Sequence, residues 1–492
     1  MKTNQYFSKI HIAIILAVFS IIIVQPSYGV QRKKTGGISK SLGQLRSQID
    51  KILKADELSS GFAGIKVVSL EDGNIIYERN STKLFHPASN AKLLTTATAL
   101  AKLPGFHFRT KLYTDNRIKN ETLSGNVYIK GSGDPLLVSA DLDSLAGMIE
   151  KRGIKSITGN IVGDISYFDT VAWGAGWMWD DEPSSDEPFI TPLSVDSNSI
   201  HFTIDPGAVE GTKVSYVVEP LTEEISVQCN ARTTKDTVGF PLKPNRRKGT
   251  NDFTIEGAIA PGATEYKNEY SVWKPELLFL HLFRDDLRKR GIVWHGECII
   301  DTIHQGTLVG EIDHSIDSAL IRINKMSYNL GAENLLKALG AEAMGAPGTF
   351  QSGLRVVKDY LTQVGIDTTD IILVDGSGVS MYNLFSPADM IRLLRAEYKS
   401  RNNFERFYAT LPIAGVDGTL KNRMKGTHAE GNVRAKTGSL TGTSALSGYV
   451  TTADQKLLAF SIMNNHFPGE SKAIREVQNR ILELLAEYRN GN

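Results

Sequence analysis

A chain of 492 residues is too long for one small core and implies about three domains. With 41% hydrophobic and 22% charged residues the composition is that of an ordinary globular protein. A formal net charge of +1 leaves no electrostatic footprint for nucleic acid or for an anionic membrane surface.

At the start of the chain, Lys2 and Lys9 precede an apolar run at residues 10–24, and Pro26-Ser27-Tyr28-Gly29 comes after it. A basic start, an apolar middle and a small-residue exit predict a secretory signal peptide over residues 1–29. The mature protein is then exported across the inner membrane, to the periplasm. The run is short for a membrane span, so an uncleaved anchor is the lesser alternative, and loose membrane or wall association stays open. No lipobox cysteine is present after the run. The two cysteines, Cys229 and Cys298, could oxidise in an exported protein, but sequence does not fix their separation. There is no His-Glu-x-x-His and no paired Cys-x-x-Cys, so no metal site and no cofactor is expected.

Residues 30–38 read as a basic leader. Leu42, Leu45, Ile49, Ile52 and Leu53 then recur at helical spacing over 39–58. Residues 62–70 and 75–79 alternate like strands around the turn Glu71-Asp72-Gly73-Asn74. Next comes His86-Pro87-Ala88-Ser89-Asn90-Ala91-Lys92, opening an apolar run at 93–103. Pro87 breaks the preceding structure, Pro104-Gly105 ends the apolar run, and the residues between favour helix. Ser89 and Lys92 stand three residues apart and share a face of that helix. A hydroxyl one turn from an amine is a nucleophile with its own base. The partly positive helix end suits an oxyanion. His86 is near enough to tempt a Ser/His pairing, but the lysine already supplies a base, so His86 reads as a structural neighbour.

After Gly105 short β-like runs dominate, at 108–113, 125–129, 157–163, 199–204 and 213–218, with a helix at 140–152. The span 106–270 reads as a β-rich insertion into a parent domain made of 30–105 and 271–492. Gly131-Ser132-Gly133-Asp134-Pro135 is a turn cluster without the pattern of a phosphate loop. The stretch from Trp173 to Glu182 reads as a packed loop with an acidic edge; a sharper reading sets Asp180 and Asp181 in the wall of a substrate groove, facing an amine. Helices are expected at 275–289, 318–324, 330–344 and 387–399, the last with proline at its start, and a strand at 292–303. Asp375-Gly376-Ser377-Gly378-Val379-Ser380 is a turn. Runs at 432–438, 443–450 and 456–463 form an antiparallel meander, and a helix at 471–488 closes the chain. Together these predict an α/β (α+β) fold, an antiparallel sheet flanked by helices.

Two further groups carry chemistry. In Ser327-Tyr328-Asn329, just before a helix, serine can relay a proton and asparagine can hold a lysine or a substrate amide. In Lys436-Thr437-Gly438-Ser439, on the first meander strand, the lysine supplies charge and the hydroxyls bind a carboxylate. Gly438 lets another chain approach the backbone. Each pattern recurs elsewhere: Ser271 with Lys274, Ser124-Gly125-Asn126, and Lys34-Thr35-Gly36. Only Ser89 with Lys92, Ser327 with Asn329 and Lys436 to Gly438 fall on a helix start, a helix-flanking loop and a strand in that order.

That trio is the motif set of penicillin-recognising serine enzymes. The chain resembles the class C low-molecular-mass penicillin-binding proteins, the D-alanyl-D-alanine carboxypeptidase and endopeptidase family, over nearly its whole mature length. The resemblance takes in the long insertion, Gly131 to Pro135, Asp375 to Ser380 and residues 411–420. It implies a penicillin-binding transpeptidase-like fold, with the insertion built as two nested domains. It implies an acyl-enzyme at Ser89, with Lys92 as base, Ser327 passing the proton to the leaving amine, and Asn329 orienting Lys92 and substrate. Lys436, Thr437, Gly438 and Ser439 would form the substrate-binding strand, and the N–H groups of Ser89 and Ser439 the oxyanion hole. The implied partners are peptidoglycan peptides, ending in D-Ala-D-Ala or cross-linked, and β-lactam antibiotics. A free lysine, with a pKa of about 10.4, cannot serve as base at neutral pH; burial and the nearby Lys436 are expected to favour the neutral amine. Asp417 and Arg423 are expected to order a loop by the site, and Tyr328 to influence the shape of the pocket. The alternatives are a β-lactamase, against which the large insertion argues, and a non-catalytic penicillin or peptidoglycan sensor. Oligomeric state is left open.

Overall fold

The computed structural model describes residues 41–115, 117–237 and 239–489. The expected signal peptide, its cleavage point and the basic leader lie outside these residues.

Two distant stretches of chain build one five-stranded antiparallel sheet. In spatial order its strands are Ile75–Arg79, Phe62–Ser69, Leu457–Asn465, Thr443–Thr451 and Arg434–Leu440. Phe62 pairs with Asn465 and Ser69 with Leu458, so the N-terminal hairpin is joined to the C-terminal meander along a whole strand. The helices are α1 (Leu42–Ile52), α2 (Ala91–Lys102), α3 (Ser139–Lys151), α4 (Pro275–Lys289), α5 (Ile316–Lys325), α6 (Asn329–Met344), α7 (Phe350–Gln363), α8 (Pro387–Lys399), α9 (Phe404–Thr410) and α10 (Ser471–Glu487).

The sheet is covered on both faces. Leu446, Val450, Phe460 and Ile462 pack in one core with Leu45 and Ile49 of α1 and Ile474, Ile481 and Leu485 of α10. Ala445, Tyr449, Ala459 and Met463, which alternate with them, pack in another core with α2, α6, α7 and α8. This double burial explains why the inner strands read as continuous apolar runs. The first helix is shorter than its 39–58 pattern: a Ser41–Gln44 capping box starts it, and it ends at Ile52, with a separate turn at Asp56–Leu58. The helices α7 and α9 are additions to those expected. In α7 the interior Gly353 weakens the helical signal, yet it fits where a Cβ would lie 2.1 Å from the Leu336 carbonyl oxygen of α6.

The inserted region has its own core. A second five-stranded sheet runs Cys298–Ile300, Ile161–Asp164, Val127–Gly131, His107–Thr114, Thr307–Ser315. Leu145 and Ile149 of α3 and Leu278, Phe279, Phe283 and Leu287 of α4 share one buried cluster with Leu112, Ile129 and Ile161 of this sheet. A four-stranded sheet of Val293–Trp294, Ser156–Ile157, Thr122–Leu123 and Ile118–Lys119, and smaller sheets formed by strands between Ser199 and Ser271, complete the region. Residues 275–315 thus pack with the insertion, and the edge expected at 270 cuts through one packed unit. Helical periodicity returns at Pro275, but that helix covers the inserted sheet. The strand expected at 292–303 is instead two short ones, Val293–Trp294 and Cys298–Ile300, separated by a turn. Cys229 and Cys298 lie in different sheets as free thiols.

α6 joins the two regions. Every residue from Leu330 to Ala341 is buried. Its Asn334 Nδ2 donates to the Gly133 carbonyl at 3.0 Å, and its Lys337 Nζ to Asp169 Oδ1 at 2.6 Å. Phe168, Trp177 and Ile190 of the insertion enter the same core as Leu335 and Leu339. The insertion is therefore held against the helix that begins with Asn329.

Phe460 is fully buried at the centre of the main sheet. Phe460→Ala is expected to destabilise the fold by about 3–5 kcal/mol, read from the denaturant midpoint at unchanged slope.

Candidate active site

The turn before α2 is held in an unfavourable shape. Ala88 has φ +47°, a left-handed backbone that costs an alanine about 1–2 kcal/mol. Neighbours impose it. The His86 N–H donates to Asn465 Oδ1 at 2.7 Å, and Asn90 Nδ2 donates to the Lys436 carbonyl at 3.0 Å. Two glycines press against the turn. A Cβ on Gly378 would lie 1.9 Å from the Ala88 carbonyl oxygen, and one on Gly438 would lie 2.8 Å from that of Pro87. Gly438 thus allows the edge of the main sheet to meet the Ser89 turn.

Lys92 is fully buried one helical turn after Ser89. Its Nζ lies 2.9 Å from Ser89 Oγ, 2.6 Å from Asn329 Oδ1 and 2.7 Å from the Ser377 carbonyl oxygen. Those three acceptors match the three donors of an ammonium group. Burial pushes the Lys92 pKa down from 10.5 to about 8, opposed by the negative charges of Glu333 and Asp375, with Asp186 and Glu187 acting in the same sense. Lys436 is equally buried; its Nζ donates to Ser327 Oγ at 2.9 Å and to the Thr437 carbonyl at 2.8 Å. Burial, then repulsion by Lys92, holds its pKa well below the ordinary lysine value. Of the two causes expected to favour a neutral Lys92, burial leads, and the repulsion between the two amines falls on Lys436. The carboxylates act on Lys92, and Lys92 depresses Lys436, so a proton shared by the pair rests more readily on Lys92.

Ser327 also has a left-handed backbone, φ +59°. Tyr328 points away from the cleft: its hydroxyl donates to Ser197 Oγ at 3.1 Å, and the Arg322 guanidinium lies 4.3 Å from its ring centre. It anchors the loop to the insertion instead of lining the pocket. Asn329 Nδ2 donates to the Asp186 carbonyl at 2.7 Å, drawing the insertion over the site.

Arg434–Leu440 is the edge strand. The Ala435 N–H donates off that edge to the Pro412 carbonyl at 3.0 Å. Alternation then directs the N–H groups of Thr437 and Ser439 outward as well, where no strand among the described residues covers them. Thr437 Oγ1 donates to Thr419 Oγ1 at 2.8 Å. Ser89, Ser327, Asn329, Thr437, Gly438 and Ser439 all line one cleft of about 660 Å³.

Other expectations fare differently. Asp180 and Asp181 lie outside this cleft, and Asp181 Oδ2 accepts the Met178 N–H at 2.7 Å within its own loop. On the insertion side the acidic lining comes from Asp186 and Glu187, five residues or more further on, and Glu476 of α10 adds a third acid. The ring of His86 stacks edge-on against His466 at 5.9 Å and does not line the cleft. Asp417 accepts the Ile413 N–H at 2.9 Å and pairs with Lys325, tying two loops beside Ser327. Arg423 donates to Asn479 Oδ1 at 2.9 Å and lines the far end of the cleft with Lys472 and Arg475. Sequence reasoning misses Glu333, the Ser377 carbonyl and the Asp186–Glu187 pair. Only the turn at Asp375 to Ser380 gives a signal, as a glycine-rich segment.

The sheet with helices on both faces, and Ser89 in the cleft paired with the buried Lys92 at the sheet's edge, define the penicillin-binding transpeptidase-like class of serine enzymes. Residues 45–488 match the family described as D-Ala-D-Ala carboxypeptidase 3 (S13), and the chain belongs to it. It is 33% identical over 464 residues to the D-alanyl-D-alanine carboxypeptidase of Actinomadura sp. (strain R39), covering 91% of this chain and 85% of that one. The crystal structure of penicillin binding protein 4 from Haemophilus influenzae superimposes with a TM-score of 0.81 at 27% identity, over 89% of this chain and 99% of that one. The same protein complexed with a novel β-lactam gives 0.76 at 27% identity, over 88% and 98%.

Gly378 has φ +82° and no room for a Cβ beside Ala88. Gly378→Ala is expected to displace the Ser89 turn and lower kcat/KM for D-alanine release by about a hundredfold, measured on a D-Ala-D-Ala peptide.

Proposed function

We propose that Ser89 is the nucleophile of this carboxypeptidase, attacking the carbonyl between two D-alanines to form an acyl-enzyme. The observation that carries this reading is the 2.9 Å contact between Lys92 Nζ and Ser89 Oγ in a buried site where the amine titrates at about 8. A neutral Lys92 takes the hydroxyl proton as the Oγ–carbon bond forms. Ser327, in contact with Lys436, passes a proton to the leaving amine, and Asn329 holds Lys92 and the substrate amide. Lys436, Thr437 and Ser439 grip the terminal carboxylate, whose charge favours the protonated Lys436. The N–H groups of Ser89 and Ser439 take the oxyanion, each worth about 3 kcal/mol in the barrier. Water then releases the acyl group.

The substrate enters as an extended chain along the open strand edge. The cleft continues past Ser439 to Lys472 and Arg475, which leaves space for a cross-linked leaving strand and so for endopeptidase action on peptidoglycan. β-Lactams acylate the same serine, in keeping with the β-lactam complex of the Haemophilus relative. Residues 1–29 carry the protein out of the cytoplasm as a signal peptide, to the periplasm. The insertion is two nested domains, one built on the Val127–Gly131 sheet and one on the strands between Ser199 and Ser271.

Lys92→Ala is expected to abolish labelling by a fluorescent penicillin; normal labelling would contradict its role as base. In the native protein only the neutral amine reacts. Acylation should therefore rise about tenfold per pH unit on the acid side and level off above about 8. A flat profile from pH 6 to 9 would remove the lysine from the mechanism.

Asp186 and Glu187 present the acidic rim to an amine on the substrate, and burial raises the Glu187 pKa to about 7. Asp186→Asn combined with Glu187→Gln should raise KM about tenfold for amine-bearing peptides alone. An equal change for acetylated peptides would rule out amine recognition.

A further inference from the structure

Glu333 lies one turn beyond Asn329 on α6 and is wholly buried. Backbone N–H groups hold it where a cation would be expected. The Gly376 N–H donates to Oε2 at 2.9 Å, and the Ser377 N–H donates to Oε1 at 2.7 Å. A buried carboxylate held this way is costly to keep, so its presence asks for a reason. The reason lies at the other end of the same residue. The carbonyl of Ser377 accepts from Lys92 Nζ at 2.7 Å. Glu333 therefore grips the N–H side of Ser377 while Lys92 is held by its carbonyl side. A third restraint, Thr95 Oγ1 to the Gly376 carbonyl at 2.8 Å, ties the turn to α2 itself.

The second acid in the turn is arranged differently. Asp375 accepts from the N–H groups of Gly378 and Ser380, from Asn383 Nδ2 and from Trp177 Nε1, at 2.7–3.1 Å. It shapes the turn from inside. Glu333 reaches the turn from another helix, and that helix also carries Asn329, whose side chain holds the Lys92 amine.

We propose that Glu333 is a positioning residue for the reaction: through the Ser377 backbone it fixes where the Lys92 amine sits, and its charge sets how tightly that amine holds its proton. The inference rests on Lys92 being the base. Charged groups act on Lys92 from every side: Asp375 from the turn, Asp186 and Glu187 from the insertion, and Lys436 from the edge strand. Lys337, a turn further along α6, is engaged by Asp169. Among the carboxylates, Glu333 acts most strongly on Lys92. Its own pKa is raised to about 7 by burial, then by Asp375, so near neutrality it can release or take the charge that Lys92 feels.

The test is the pH profile of acylation by a fluorescent penicillin, measured on the full chain as native protein, Glu333→Gln and Glu333→Asp. Removing the charge makes the amine easier to deprotonate. The acid limb of Glu333→Gln should move toward lower pH by about one unit or more. Glu333→Asp keeps the charge but draws it back from the turn. Its limb should stay near the native position while the plateau rate falls about tenfold. A Glu333→Gln limb that coincides with the native one overturns the proposal. Should that variant fail to fold, a Glu333→Asp protein with the native plateau overturns it equally. A native profile without a limb near pH 8 would instead sink the assignment of Lys92 as base, a separate failure.

Discussion

The whole site depends on one amine being taken out of water. Lys92 is fully buried beneath the cleft, with its charge opposed by burial and favoured by carboxylates, and its donors shared among Ser89, Asn329 and Ser377. Those three acceptors come from a helix start, a second helix and a turn. Each packs correctly only if the main sheet and its helices are complete. The local strain has the same origin: Ala88 and Ser327 accept left-handed backbones because the surrounding packing leaves no alternative.

The two buried lysines form an unusual pair. Among the described residues no carboxylate touches either amine, and the charge on Lys92 raises the cost of charging Lys436. Such a pair responds to whatever anion arrives. A carboxylate held beside Lys436 would stabilise a charge there at the expense of one on Lys92. The resting site and the loaded site then differ in where a proton sits, with little need for the backbone to move.

Part of this is legible in the sequence. Ser89 and Lys92 are neighbours on a helix, so their contact is a matter of spacing alone. Asn329 and Lys92 are 237 residues apart, and only the agreement of three motifs with their expected elements brings them together. The sheet strands of the meander and the helices α2, α6, α8 and α10 are readable from apolar periodicity. Glu333 is not, because a glutamate inside a good helix-forming pattern looks like any solvated face; its burial is a property of the neighbours that surround it. Asp186 and Glu187 escape notice for a similar reason: a loop's aim is decided by what it packs on, here the Asn329 end of α6. That α4 packs with the inserted sheet is likewise hidden, because its amphipathic pattern is the same whichever sheet it covers.

The open border of the Arg434–Leu440 strand has one more consequence. An uncovered strand normally invites other chains to stack on it and aggregate. Here its beginning is closed by residues 412 and 413, and the cleft it borders is lined also by the loop carrying Asp186 and by α10. The part left free is a few residues long, half-buried at Thr437 and exposed at Ser439, and it lines the cleft. A border this short suits a single extended oligopeptide better than a broad sheet, which needs a long edge to pair with. The same brevity makes it a poor template for strand-to-strand stacking between copies of the chain.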